Sequence, residues 1–329
     1  MRARHLRKGT GAVALAALLL SLPVRAQTDP GFSAWLQSFK ADAAQKGISA
    51  RTLDSALTGI APIPRVLELD QRQPEKTIRF ETYRRSVISD ARVKAARERL
   101  AQHRAALTDV STSSGVPAPY ILALWAVESD FGRGQGGFAV VPALATLAYE
   151  GRRREFFANE LIAALQILDR GEATLSQLRG SWAGAMGQSQ FMPSSYLKYA
   201  KDGDGDGKRD IWGNPRDVFA SIANYLATVG WRPDLRWGRE VSAPAGLAAD
   251  LVGLKTRKPL ADWEALGITR RDGQPVTGPA GLEASLVQPD GPEGPSYLVY
   301  DNFRTLMDWN RSTYFATAIG LLADRIGDG

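Results

Sequence analysis

The 329-residue chain contains no cysteine. Disulfides, thiolate zinc sites, Cys-His dyads and lipid attachment through a cysteine are therefore excluded. Histidine is almost missing as well, with only His5 and His103. His5 falls in a leader segment, so histidine-based metal and triad chemistry is set aside on that inventory. Catalytic proton transfer is left to Asp, Glu, Tyr or Lys. No apolar run is long enough to cross a bilayer comfortably; the clearest, Ala12 to Leu22, is too short.

That run follows Arg2, Arg4, Arg7 and Lys8 and precedes Val24-Arg25-Ala26. A positive region, an apolar stretch and small residues at a cleavage position read as a secretory signal peptide over residues 1–26. A retained membrane anchor is the competing reading. The expected product is periplasmic, soluble and not a lipoprotein. The leader carries five basic residues and no acidic one, so the formal charge of +6 falls by five to +1 on its removal. The basic balance thus belongs to the leader, and no nucleic-acid partner is expected.

Hydrophobic residues make up 44% and charged residues 23%, enough for a sizeable core. Apolar spacing predicts helices over 32–46, 51–57, 83–107, 120–129, 156–168, 194–201, 215–229 and 303–326. Ser111 to Pro119 reads as a loop. From Val241 to Val299 proline and glycine are frequent and the helical period is lost. Asp272-Gly273, between extended segments in 268–277, signals a hairpin. The expected architecture is mainly α. It comprises a helical region over 27–110, a catalytic core over 111–240, a small β-rich subdomain over 241–300 and a closing helix over 301–329.

Glu128 ends the apolar stretch Tyr120 to Val127, within Ala126-Val127-Glu128-Ser129-Asp130-Phe131-Gly132. A carboxylate ending a buried helix, followed later by the Gly/Gln/Pro string at 184–194, suggests a lysozyme-like cleft that cuts sugar polymers. A general acid for glycoside cleavage needs a raised pKa. Burial beside Trp125, Val127 and Phe131, and a place in the last turn of a helix, both push a carboxyl that way. The bland alternative is a helix-end glutamate paired with Arg133. Asp130 is two residues away and does not share its helix face, so it is not read as a nucleophile. No second carboxylate stands out, which favours a single-acid mechanism assisted by the substrate's own acetamido group.

Further segments carry a resemblance. They are Gly184-Ala185-Met186-Gly187-Gln188-Ser189-Gln190-Phe191-Met192-Pro193-Ser194-Ser195-Tyr196, Ala223-Asn224-Tyr225-Leu226, Asn302-Phe303 and Trp309-Asn310-Arg311-Ser312. With the Glu128 segment, they make the chain resemble the lytic murein transglycosylase B family, glycoside hydrolase family 103. The resemblance implies a lysozyme-like helical core with an N-terminal helical region and a small β insertion. It implies cleavage of the β-1,4 bond between N-acetylmuramic acid and N-acetylglucosamine of peptidoglycan, leaving a 1,6-anhydromuramyl end. It makes Glu128 the sole acid and base. Ser181 and Gln190 become polar contacts to the sugar and its acetamido group, Tyr225 a cleft wall near Glu128, and Asn310 a substrate contact. Trp309 stands where some members have tyrosine, so an aromatic wall is kept while a hydroxyl role is in doubt. Tyr225 and Trp309 could instead be core aromatics, and Gln190 a buried hydrogen-bonding residue.

Asp202-Gly203-Asp204-Gly205-Asp206-Gly207-Lys208 matches the start of an EF-hand loop. Asp202, Asp204 and Asp206 would offer carboxylates and Lys208 its carbonyl. The twelfth position is Gly213, and Asp217 could close the site instead. The expectation is a structural Ca²⁺, with no cofactor needed for the chemistry. The alternative is an ion-free Asp/Gly turn balanced by Lys208 and Arg209. The rivals to a transglycosylase are a hydrolytic muramidase, a non-catalytic peptidoglycan-binding scaffold and a calcium sensor. Glycan strands are the expected partner. Association with cell-wall synthesis proteins is compatible by analogy, and the chain is expected to act as a monomer.

Overall fold

A computed structural model describes residues 29–72 and 78–328; the expected signal peptide lies outside the described residues. Fourteen α-helices dominate these residues. In the N-terminal part they are α1 (Pro30–Gln45), α2 (Ala50–Leu57), α3 (Pro64–Gln71), α4 (Phe80–Val87), α5 (Asp90–Gln102) and α6 (Arg104–Ser114). The centre holds α7 (Ala118–Ser129), α8 (Val140–Glu150), α9 (Arg154–Asp169), α10 (Pro193–Tyr199) and α11 (Pro215–Thr228). Near the C-terminal end come α12 (Leu260–Ala265), α13 (Asp301–Trp309) and α14 (Thr313–Gly327).

Helix α7 is the axis of the core. Tyr120 to Ala126 are all buried, as a helix apolar on every side requires. It packs against α5, α6, α11 and α14, while α8 and α9 form an adjoining helix pair. One apolar cluster joins these helices, and a second, around Trp263, Leu286 and Leu298, lies under the sheet.

Two strands, β1 (Phe138–Ala139) and β2 (Arg179–Gly180), pair antiparallel beside the core. The remaining strands are β3 (Gly238–Ser242), β4 (Lys258–Pro259), β5 (Thr269–Arg270), β6 (Glu283–Val287) and β7 (Ser296–Val299). They form a sheet in the order β4-β6-β7-β3-β5. Its register pairs Gly238 with Val299, Leu286 with Leu298, and Val241 with Arg270.

Several sequence expectations need correction. The single helix expected over 83–107 is part of three helices spanning 80–114. Ser89 starts a new one by accepting the Arg92 N–H at 3.2 Å, and His103 leaves helical geometry at φ −109°. The loop expected from Ser111 begins only at Gly115, whose φ of 73° ends α6 in the left-handed region. Pro64 opens α3, where a fixed φ suits the first helical turn. The sequence reading also leaves out helix α8, whose Val140, Val141 and Ala143 to Ala148 are buried. The turn at Asp272-Gly273 forms, with Gly273 N–H donating to the Arg270 carbonyl at 2.9 Å. Arg270 N–H donates back across it to the Gln274 carbonyl at 2.9 Å, a single rung, and its one strand, β5, pairs with β3. The last helix is split at 310–312, where Ser312 caps α14 by accepting the Phe315 N–H at 3.3 Å.

Candidate active site

Glu128 lies in the last turn of α7. Three left-handed residues follow the turn's end, Asp130 (φ 50°), Phe131 (φ 58°) and Gly132 (φ 86°). Glu128 is partly open to solvent, although Ser129 and the helix from Tyr120 to Ala126 are buried. A Cβ on Gly132 would come within 2.5 Å of Gln188 Oε1, so glycine is needed for approach as well as conformation. Burial pushes the Glu128 carboxyl up to about 7, against the opposing effect of a hydrogen bond from Trp309. Trp309 Nε1–H donates to Glu128 Oε1 at 2.7 Å. Arg133 is not its partner; Arg133 pairs with Asp130 at 2.9 Å.

That contact adds a hydrogen-bond donor to the aromatic wall expected at Trp309. The indole is the one side-chain donor to the catalytic candidate among the described residues. Because N–H donation stabilises the ionised carboxylate, Trp309→Phe raises the Glu128 pKa further above about 7. A donor to a charged group is worth about 1.5–3 kcal/mol. The expected outcome is a fall in kcat/KM of about tenfold, with the limb of the pH–rate profile that reports Glu128 ionisation moved to higher pH. An unmoved limb would sink this role.

The segment after β2 lies beside the end of α7. Ser181 N–H donates to the Ala185 carbonyl at 2.8 Å, and Ser181 Oγ accepts from Ala185 N–H at 3.1 Å. The Ser181 hydroxyl proton is thereby left for another acceptor. Met186 and Phe191 exchange both backbone hydrogen bonds, at 2.8 and 3.1 Å, and close a tight loop. Gln190, just before Phe191, has φ 49°, a strained conformation of the kind found at functional positions. Its amide donates to the Gln135 carbonyl at 3.1 Å and the Gly187 carbonyl at 2.8 Å, so its carbonyl oxygen is the end left to act.

Sequence reasoning misses what fastens this loop to α7. Ser129 Oγ donates to the Gln188 carbonyl at 2.6 Å. Gln188 Oε1 accepts from Trp125 Nε1 at 2.8 Å, and its amide donates to the Trp212 carbonyl at 2.8 Å. Both residues lie inside the motifs, but only the fold shows which motif positions bond to each other. His103 is bland: it packs edge-on against Trp125 and Phe219.

Trp309 leans on Tyr225 at 4.7 Å and on Phe191 at 5.3 Å between ring centroids. Tyr225 spends its hydroxyl on the Asp308 carbonyl at 2.8 Å, which anchors the turn carrying Trp309. Burial pushes the Tyr225 hydroxyl up to about 12. Asn310 is exposed just beyond α13. A further aromatic, Tyr83, is hidden within the expected long helix. Burial raises its hydroxyl pKa, and the Glu128 charge is near enough to raise it too. Tyr83 also packs against Tyr314 at 6.0 Å.

In the acidic loop, carboxylate oxygens of Asp202, Asp204 and Asp217 lie within 4.8 Å of one another. Asp206 is not among them. It is turned onto its own loop, accepting the Lys208 N–H at 2.8 Å. Lys208, expected as a carbonyl ligand, is exposed beside it. Asp217 is fully buried and accepts from Gly203 N–H at 2.8 Å and Asp210 N–H at 2.6 Å. Burial first, then the neighbouring Asp204 and Asp202, push its pKa up. Arg209 does not balance these charges, because it pairs with Glu172 and stacks on Tyr196. Among the described residues no cation forms an ion pair with Asp202, Asp204, Asp206 or Asp217.

The chain is similar to known proteins in sequence and fold. The family profile of the transglycosylase SLT domain matches residues 31–324. Membrane-bound lytic murein transglycosylase B of Escherichia coli (strain K12) is 32% identical over 293 residues, covering 85% of this chain and 79% of that protein. SltB3 from Pseudomonas aeruginosa, solved in complex with NAG-NAM-pentapeptide, superposes with a TM-score of 0.87 at 44% identity, over 92% of this chain and 80% of that one. The Escherichia coli lytic transglycosylase Slt35, solved in complex with calcium, superposes with a TM-score of 0.78 at 30% identity, over 91% and 93% of the two chains. A profile match across nearly the whole described chain, joined to relatives of the same kind, means that this chain belongs to the transglycosylase SLT domain family.

Proposed function

We propose that the chain is a lytic transglycosylase that cleaves the β-1,4 bond between N-acetylmuramic acid and N-acetylglucosamine in peptidoglycan and leaves a 1,6-anhydromuramyl end. The observation that carries this reading is the Glu128 carboxyl, held near 7 at a partly open position with no charged neighbour among the causes of its shift. A group at that pKa is protonated often enough to give a proton and basic enough to take one back.

Protonated Glu128 donates to the glycosidic oxygen as the C1–O bond breaks. The resulting carboxylate then takes the proton of the muramyl C6 hydroxyl as that oxygen bonds to C1. Atoms and charge balance without water, and the intramolecular attack has an entropic advantage. The substrate's acetamido group shares the developing positive charge. Trp309 holds the Glu128 carboxyl in place and walls the cleft with Tyr225. Ser181 and Gln190 offer a hydroxyl donor and an amide acceptor to the sugar, and Asn310 a contact at the exposed rim. The relative solved with NAG-NAM-pentapeptide supports glycan strands as the ligand.

The acidic loop fits a hard cation, since its converging donors are all carboxylate oxygens and one of them is fully buried. Asp202, Asp204 and Asp217 would hold Ca²⁺, which would supply positive charge to a structural loop and take no part in the reaction. The relative solved with calcium supports this choice. Residues 1–26 would deliver the enzyme to the periplasm, and no described helix is long and apolar enough to cross a membrane. Action as a monomer, with contacts to cell-wall synthesis proteins, suits that setting.

The test is digestion of purified peptidoglycan followed by mass spectrometry of the released ends. Anhydromuramyl ends are expected. Reducing ends would replace this reading with hydrolysis by water, and intact strands would leave a binding scaffold.

A further inference from the structure

Four arginines meet at the β3–β5 edge of the sheet, in a cleft lined by none of the residues assigned to the reaction. Arg236, Arg239, Arg270 and Arg271, with Glu240 and Asp272, line a cleft of about 440 Å³. Three of the arginines have a counter-charge. Arg271 pairs with Glu240, Arg270 with Asp272 at 2.9 Å, and Arg236 with Asp324 at 3.1 Å. Asp324 is shared, because its Oδ2 also accepts from Trp237 Nε1 at 2.9 Å.

Arg239 differs from the other three. Among the described residues no acid lies within ion-pair distance of it, and its Nε is buried without a hydrogen-bond partner. Its guanidinium sits 5.8 Å from the centroid of the Tyr300 ring, a neighbour that carries no charge to offset it. Strand β3 fixes the Arg239 backbone, with Arg239 in register with Leu298 of β7. The strand fixes where the Arg239 side chain begins, and among the described residues no ion pair compensates its charge.

We propose that this cleft binds the carboxyl end of a peptide through Arg239, with Arg270 at its mouth. The guanidinium fork matches a carboxylate. The sign balance of the lining selects a monoanion. One carboxylate would neutralise the single uncompensated arginine, whereas a phosphate dianion would face Glu240 and Asp272 as well. Peptide stems of peptidoglycan are the source of such groups for this enzyme. That source rests on the function proposed above, but binding of the carboxylate does not.

The experiment is calorimetric titration of the full chain at low ionic strength with N-acetyl-alanyl-alanine, its C-terminal amide and inorganic phosphate. The acid is expected to bind, with the amide about tenfold weaker or more. Arg239→Gln is expected to weaken the acid by about tenfold. Asp272→Ala, a change at an exposed turn that frees Arg270, is expected to tighten it and does not depend on Arg239→Gln folding. Arg239→Gln is expected to give the same ends from peptide-free glycan strands as the unaltered chain. Loss of the peptide site and failure of the transglycosylase reading are thereby separated. No binding of the acid, equal binding of the amide, or phosphate binding at least as tight would overturn the assignment.

Discussion

Glu128→Gln is expected to lower turnover of peptidoglycan by about three orders of magnitude, within the range that a positioned general acid contributes. The same substitution is expected to stabilise the protein at pH 8. The folded carboxyl titrates at about 7, raised from an ordinary value of 4.5. Below pH 4.5 the folded and unfolded chains both hold the proton, and the difference has no effect on stability. Between 4.5 and 7 the unfolded chain releases its proton while the folded one keeps it, so stability falls as pH rises and levels off above 7. The span corresponds to about 3 kcal/mol at most, since a tenfold difference in proton affinity between the two states is worth about 1.4 kcal/mol. Glutamine removes that penalty and keeps an oxygen to accept from Trp309. Denaturant unfolding of both proteins at pH 8 and pH 4.5 measures it. The expected gap is present at the higher pH and closed at the lower one. A gap of equal size at both would mean that the substitution acts through packing and not through the proton.

The pairing of lost activity with gained stability bears on why the helix ends as it does. An apolar helix that terminates in a carboxylate is a poor solution for stability alone, because burial opposes the charge. The run Tyr120 to Val127 makes this conflict visible in the sequence itself. So does the Gly/Gln/Pro string, whose glycines are required by positive φ at Gly184 and Gly187. The company Glu128 keeps is not legible there. Trp309 lies 181 residues away, and its role as a hydrogen-bond donor depends on the break between α13 and α14 at 310–312. Apolar spacing runs through that break with little interruption, so it predicts one helix. Tyr83 is obscured for the same reason at the other end, where the Ser89 cap divides α4 from α5. Periodicity records which face is buried, whereas the short breaks that aim side chains at the site depend on single capping residues.

Calcium addition is expected to raise the melting temperature of the chelated protein, and Asp217→Asn is expected to abolish that rise. The two carboxylates nearest Asp217 belong to Asp202 and Asp204, and no arginine or lysine pairs with any of the three among the described residues. A cation bound only by the folded chain adds about 2.7 kcal/mol at a hundred times its dissociation constant. For a chain of this size that corresponds to roughly 5 °C or more. The position of Asp206 sharpens the test. The EF-hand pattern makes it a ligand, but its Oδ1 accepts the Lys208 N–H and it stands outside the converging group. Asp206→Asn is therefore expected to leave most of the calcium response intact. The response should reach the active site only indirectly. Asp217 accepts from Asp210 N–H at 2.6 Å, and Asp210 from Trp212 N–H at 2.9 Å. The Trp212 carbonyl accepts from Gln188, whose own carbonyl accepts from Ser129 beside Glu128. Chelation is expected to lower turnover a few-fold while leaving the pH profile of Glu128 in place, because no charge in that chain acts on the carboxyl. A melting temperature indifferent to calcium would leave the loop as a set of Asp turns. A profile that moved with the metal would mean that the loop governs the acid itself.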